Sequence, residues 1–199
     1  MEHLEIVNEQ TGKPTGVVLP RHEVIAKEAW CRSTNVFVLN HNGEILCHQR
    51  SLIKDSKPGW WMTHLGGRVG VGETYEINAL KELEEEAGII VPAKRLIPWR
   101  TTRVETSRFW SREFVTVYDV PAEQLVPQPG EVEQFKWMSI DEIIAAEKSG
   151  DQKWKAGTHD IISEYSCMLS VIGSAHHLGV HEVPDSLHTW SPVWMGAGV

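Results

Sequence analysis

Four carboxylates stand within five positions, at Glu82, Glu84, Glu85 and Glu86. If this stretch is helical, steps of three and four from Glu82 bring Glu85 and Glu86 onto its face, with Glu84 turned away and Leu83 turned inward. Three like charges on one helical face repel one another, so a cation is expected among them. All-oxygen donors suit Mg2+ or Mn2+, and Mg2+ is commonly held by a few carboxylates together with substrate phosphates. A solvated acidic face is the plainer reading of the same residues. The segment in front weighs against it: Gly66, Gly67, Gly70 and Gly72 make a backbone that can take positive φ and approach a ligand closely.

The elements that must hold these groups lie on either side. Residues 60–65 read as a strand leading into the glycine loop. Glu73 closes that loop and opens a run of strong helix formers with Ala79, Leu80, Leu83 and Ala87 as apolar positions. Gly88 supplies the C-terminal stop.

In order, Gly67, five residues, Glu73, seven residues, Lys81-Glu82-Leu83, one residue, Glu85-Glu86, one residue and Gly88-Ile89 resemble the Nudix box of the Nudix hydrolases. One fixed position departs, since the family has Arg where this chain has Lys81. The resemblance implies a loop-helix-loop that binds divalent metal, Mg2+ or Mn2+, and a diphosphate. It implies Gly67 (through its carbonyl), Glu82, Glu85 and Glu86 as metal ligands, Glu82 being either a ligand or the base that activates water. Glu73 would add a ligand or orient the others, and Glu82, Glu85 and Lys81 form the expected catalytic group. Lys keeps the charge of Arg but loses the planar fork that grips two oxygens at once, which bears on catalytic vigour more than on metal binding.

A net charge of -8 over 199 residues leaves no nucleic-acid footprint, and the 41% hydrophobic and 23% charged fractions are those of an ordinary globular chain. Cys31, Cys47 and Cys167 fit neither a disulfide framework nor a zinc site and are expected as reduced, mostly buried thiols. No apolar run has bilayer length and the first ten residues lack a basic-then-apolar leader, so the expectation is a cytoplasmic protein without membrane contact.

Around the box, residues 4–7 and 16–19 read as a hairpin and Pro20 to Trp30 as a short helix. Residues 34–39 and 44–48 form a second hairpin about Asn42-Gly43. Residues 95–104 and 112–119 make another strand pair, 121–130 a long loop and 131–138 a last strand. Ser139-Ile140-Asp141-Glu142 is a capping box for a helix to about Lys148. This order suits an α+β fold, an α/β/α sandwich with a mixed sheet between helices. Residues 1–150 are assigned to that domain. Residues 151–199 are an extension, with an amphipathic helix over 159–172 that packs on the domain or on a partner subunit, leaving a homodimer open. His176, His177, His181 and His188 fit no zinc spacing.

A closer resemblance, from Leu4 to about Glu147, is to the Nudix subgroup related to isopentenyl diphosphate isomerase, carried by Arg50-Ser51-Leu52 and Lys57-Pro58-Gly59-Trp60-Trp61. That isomerase pattern has a catalytic Cys just before the first box glycine and a ligand His just after it. Here Gly66 and Arg68 stand there, so proton-transfer isomerisation lacks its thiol. Hydrolysis of a diphosphate in a small-molecule, nucleoside diphosphate-X type substrate is the leading expectation, and a non-catalytic nucleotide-binding module is the alternative. Arg50, Gly66, Arg68 and Trp61 are expected to meet the substrate, with Trp60 or Trp110 as other aromatic candidates. Lys54 and Lys57 read either as a phosphate clamp or as surface, with surface favoured. Glu113, Glu131 and Glu133 are open as additional site carboxylates.

Overall fold

The computed structural model describes residues 2–154, 165–169 and 172. The expected tail beyond 172 and most of the expected helix over 159–172 lie outside the described residues. A mixed sheet is built on β3 (Cys31–Leu39), which runs parallel to β7 (Phe109–Val117) along its whole length. The order is β5 (Trp61–Met62), β4 (Ile45–Arg50), β3, β7, β6 (Ile97–Val104), with β8 (Val132–Met138) antiparallel on β4. Parallel neighbours need a crossover, and α2 (Tyr75–Ala87) lies in the connection.

Alternation along β3 separates the layers. Val36 and Val38 pack with Ala79, Leu83 and Ala87 of α2 and with Phe114. Phe37 and Leu39 face the other way, into a cluster with Ile143 of α3 (Ile140–Ser149), Trp61 and Trp154, and with Tyr165, Met168 and Ile172. The capping box of α3 forms as read: the Ser139 hydroxyl accepts from the Glu142 N–H, and the Ser139 N–H donates to the Glu142 carboxylate at 2.8 Å. Gly88 takes a left-handed φ of 67° and ends α2.

Three expectations need adjusting. The short helix α1 (Arg21–Ala26) stops four residues before Trp30, because Glu28 turns at φ 49° and delivers Trp30 under the Arg103 guanidinium and Cys31 into register with Phe109. The strand expected over 60–65 pairs with β4 only at Trp61 and Met62. Beyond it, residues 65–69 lie along β3: Val36 donates to the Leu65 carbonyl at 2.7 Å, Thr34 to that of Gly67 at 2.9 Å, and the Val69 N–H to that of Arg32 at 3.1 Å. The first part of the glycine loop is therefore tied to β3 by isolated bridges, because β3 offers it unpaired backbone groups. The thiols are free and mostly buried, as expected: Cys31 and Cys47 are buried and Cys167 is exposed.

The N-terminal hairpin, β1 (His3–Val7) with β2 (Pro14–Pro20), packs Leu4 on Val24 and Cys31. It is tied across by Arg103 and Trp110, both donating to the Glu9 carbonyl. Phe114 is fully buried where β7 meets α2. Phe114→Ala should cost about 4 kcal/mol of unfolding free energy in a urea titration, the expected loss of transfer energy plus cavity.

Candidate active site

Glu82, Glu85 and Glu86 project from α2 into one cleft of ≈ 320 Å³, whose other walls include Gly66, Gly67, Lys81, Arg50, Lys54, Glu131, Arg21 and Arg68. Glycine is required at position 66, and at position 67 it leaves room for a carboxylate. A Cβ on Gly67 would overlap the Glu82 carboxylate, and one on Gly66, where φ is 147°, would overlap the Thr34 carbonyl oxygen. The Gly66 N–H instead donates to Glu86 Oε2 at 2.9 Å, so helix and loop hold each other.

Behind the carboxylates sits Asn78, fully buried one helical turn before Glu82. Its amide donates to the Arg68 carbonyl at 3.0 Å, to Glu73 Oε2 at 3.1 Å and to Glu82 Oε1 at 3.4 Å, while its oxygen accepts from the Thr34 hydroxyl at 2.5 Å. Glu73 also accepts the Gly70 N–H at 2.8 Å and the Lys81 ammonium at 3.3 Å. Lys81 thus touches one oxygen of Glu73, a single contact where a guanidinium could have made two. Neither Asn78 nor Thr34 was singled out in the sequence. The available signal was an Asn inside a helix, at a spacing of four from Glu82, where its propensity alone is unfavourable.

Electrostatics follow from the crowding. Burial, with the charge of Glu85, pushes Glu82 up to about 7, and burial, with the charge of Glu82, pushes Glu86 up to about 8. Glu73 behaves oppositely. Burial opposes its ionisation, but the Gly70 N–H, Lys81 and Asn78 outweigh it and hold its pKa below the usual carboxylate value.

The other expected site residues divide. Arg50 and Arg68 line the cleft, and Gly66 does so with its N–H committed to Glu86. Trp61 does not: it is 5% exposed and stacked on Trp154 in the core below the sheet, because its strand parity turns it to that face. Trp60 and Trp110 are also absent from the lining, and Phe109 and His64 are the rings found there. Lys54 is in the wall, bonded to both oxygens of Glu131 at 2.6 and 2.8 Å, so the surface reading fails for it. Lys57 lies over Trp60 outside the cleft. Glu131 lines the cleft and Glu133 does not. Glu113 is neither an exposed strand residue nor in the lining; it is buried and accepts from Arg100 at 2.6 Å.

A family model described as NUDIX domain matches residues 29–158. The chain belongs to the Nudix family. Nudix hydrolase 3 of Arabidopsis thaliana is 26% identical over 211 residues, an alignment that takes in 98% of this chain, but the chain spans only 27% of that protein's length. The isopentenyl-diphosphate Delta-isomerase of Corynebacterium diphtheriae is 26% identical over 150 residues, 72% of this chain and 82% of that protein. The crystal structure of DR0079 from Deinococcus radiodurans shares the fold, with a TM-score of 0.67 over 82% of this chain and 98% of that one at 22% identity. The α+β sandwich expected from the sequence is thus the Nudix fold. Among the described residues no helix is long and apolar enough to cross a membrane.

Among the described residues no three carboxylate, imidazole or thiol side chains are gathered closely enough to clasp a cation as they stand, since Glu82 and Glu86 are occupied with Asn78 and Gly66. The donor chemistry nonetheless fits a hard divalent ion: three carboxylates and the Gly67 carbonyl are all oxygen, and two of the carboxylates, buried and crowded by like charge, resist ionisation. A stability consequence follows. The pKa values of Glu82 and Glu86 are raised in the folded state, so their contribution is complete below pH 4.5 and is lost as pH climbs through 7 to 8. With EDTA the melting temperature should fall across that window by about 5 °C or more. Mn2+ should reverse the fall, and Glu86→Gln should flatten it, as measured by differential scanning calorimetry.

Proposed function

We propose that this protein hydrolyses a diphosphate linkage in a small-molecule substrate of the nucleoside diphosphate-X type, with Mg2+ or Mn2+ bound. The observation that carries this reading is the facing of Glu82, Glu85 and Glu86 with the basic residues Arg50 and Lys54 across a single cleft. Glu82, Glu85, Glu86 and the Gly67 carbonyl would hold the ion. When bound, it would offset phosphate charge and acidify water.

The chain's own groups supply the rest. Arg50, whose Nε bonds the Ser56 carbonyl at 3.3 Å, presents its charge to the phosphates. Lys54 is drawn to the same phosphates, and its departure leaves the Glu131 carboxylate unpaired beside the scissile bond. Glu131, or Glu82 where the ion leaves it free, accepts the proton of a water that attacks phosphorus in line. The P–O bond to the bridging oxygen breaks and two monophosphates leave. Lys81 positions Glu73, and Glu73 in turn holds Asn78.

The isomerase reading meets a steric objection, because the Thr34 carbonyl leaves no room for a thiol-bearing side chain at position 66. A non-catalytic nucleotide-binding module draws support from the single contact of Lys81. Net charge -8 favours a small-molecule substrate over nucleic acid, and the unpaired thiols Cys31 and Cys47 favour a reducing compartment, the cytoplasm.

The test is divalent-dependent release of monophosphates from a panel of nucleoside diphosphate-linked compounds. Glu85→Gln and Glu86→Gln should each lower kcat by roughly 100-fold or more, and EDTA should abolish turnover. Parent-like rates in both variants would remove the carboxylates from the mechanism, and tight binding without product would establish the binding module.

A further inference from the structure

The cleft has a second end, and its chemistry is opposite to that of the carboxylates. Residues 65–69 run antiparallel to β3, with Arg68 bridged to Ser33. Thr34 points toward α2, where its hydroxyl meets Asn78, so Ser33 and its bridge partner Arg68 project from the other face of the sheet. Gly67, next to Arg68, is the position that abuts Glu82. One residue of chain therefore separates a carboxylate wall from a guanidinium.

That guanidinium is built into the fold but incompletely satisfied. Its carbon lies 4.3 Å from the centroid of Phe109, and Nη2 reaches the Ser107 carbonyl only at 3.5 Å. Nη1 is buried without a hydrogen-bond partner, and among the described residues no carboxylate lies within ion-pair distance of Arg68. Ser33, 5% exposed and in the cleft wall, has an unpartnered hydroxyl, as does the fully buried Ser111 beside it in register on β7. Buried donors left unpaired are costly and call for an explanation. Of these, Arg68 and Ser33 line the cleft, and a cationic donor beside a hydroxyl there forms an oxyanion receptor.

On the diphosphate-cleaving reading above, we propose that Arg68 with Ser33 selects substrates carrying a second oxyanion, a carboxylate or phosphate monoester, on the group beyond the scissile diphosphate. The same surface disfavours an apolar chain or a stacked base there, because the aromatic face of Phe109 is already covered by Arg68.

The experiment compares pairs of diphosphates that differ in one anionic group: UDP-glucuronate with UDP-glucose for the carboxylate, and coenzyme A with its 3′-dephospho form for the phosphate. The parent should prefer the charged member of at least one pair by roughly tenfold or more in kcat/KM. Arg68→Gln should lose that preference, cutting the charged member far more than the neutral one, and Arg68→Lys should restore part of it. Ser33→Ala should weaken it in the same direction. Arg68→Gln should melt no lower than the parent, which separates lost recognition from lost fold. No preference in either pair, or an equal loss for both members in Arg68→Gln, would overturn the proposal. If no compound is cleaved, hydrolysis is what fails. The subsite is then decided by calorimetric titration of the same four compounds, where an oxyanion preference that Arg68→Gln abolishes sustains it and equal binding refutes it.

Discussion

The close approach of the α2 carboxylates to the backbone of residues 66 and 67 is the constraint on which the site depends. Glu82 occupies the space that a side chain on Gly67 would need, and Glu86 takes the N–H of Gly66. A larger residue at position 67 would displace the Glu82 carboxylate, and one at position 66 would drive the loop off the Thr34 carbonyl of β3 and with it the N–H that Glu86 accepts. The loop in turn is held by β3, whose Thr34 and Val36 bond its backbone while the Thr34 hydroxyl reaches Asn78. Sheet, loop and helix are thus locked at one point, and Asn78 joins all three.

This lock concentrates negative charge in a partly buried place. Desolvation and mutual repulsion raise Glu82 and Glu86, while Glu73, given three donors, stays easily ionised. The difference lies in depth of burial and in hydrogen bonding rather than in sequence neighbourhood, since all three belong to the same box. Basic residues from the segment between β4 and β5 and from the start of α1 close the cleft from outside, Lys54 on Glu131 and Arg21 on Glu2. Glu2, just before β1, and Arg21, at the start of α1, both precede the matched NUDIX domain region, so the cleft of this chain is completed by residues outside the family's shared part.

The legible parts were those governed by local rules. The box spacing, the helical face of Glu82, Glu85 and Glu86, the Gly88 stop and the Ser139 capping box depend on residues within one or two turns, and each stands as the sequence indicated. Trp61 was misplaced because an aromatic next to a site resembles a substrate platform, whereas strand parity sent it under the sheet to Trp154. Lys54 was undervalued because its partner, Glu131, lies 77 positions away and meets it only through the pairing of β4 with β8.

The sequence by itself determined the chemistry available to this protein: oxygen ligands on one helical face, glycines where a backbone must come close, and one Lys where an Arg would grip more firmly. Periodicity and spacing carry that information because it is local. Only the tertiary structure decided which distant groups share the cleft, that Glu113 is spent on Arg100 while Glu131 faces the box, and that Arg68 stands apart from the carboxylates with a donor unmet. Those outcomes depend on strand order and on which face of the sheet each residue takes, and both are settled by packing between segments far apart in the chain.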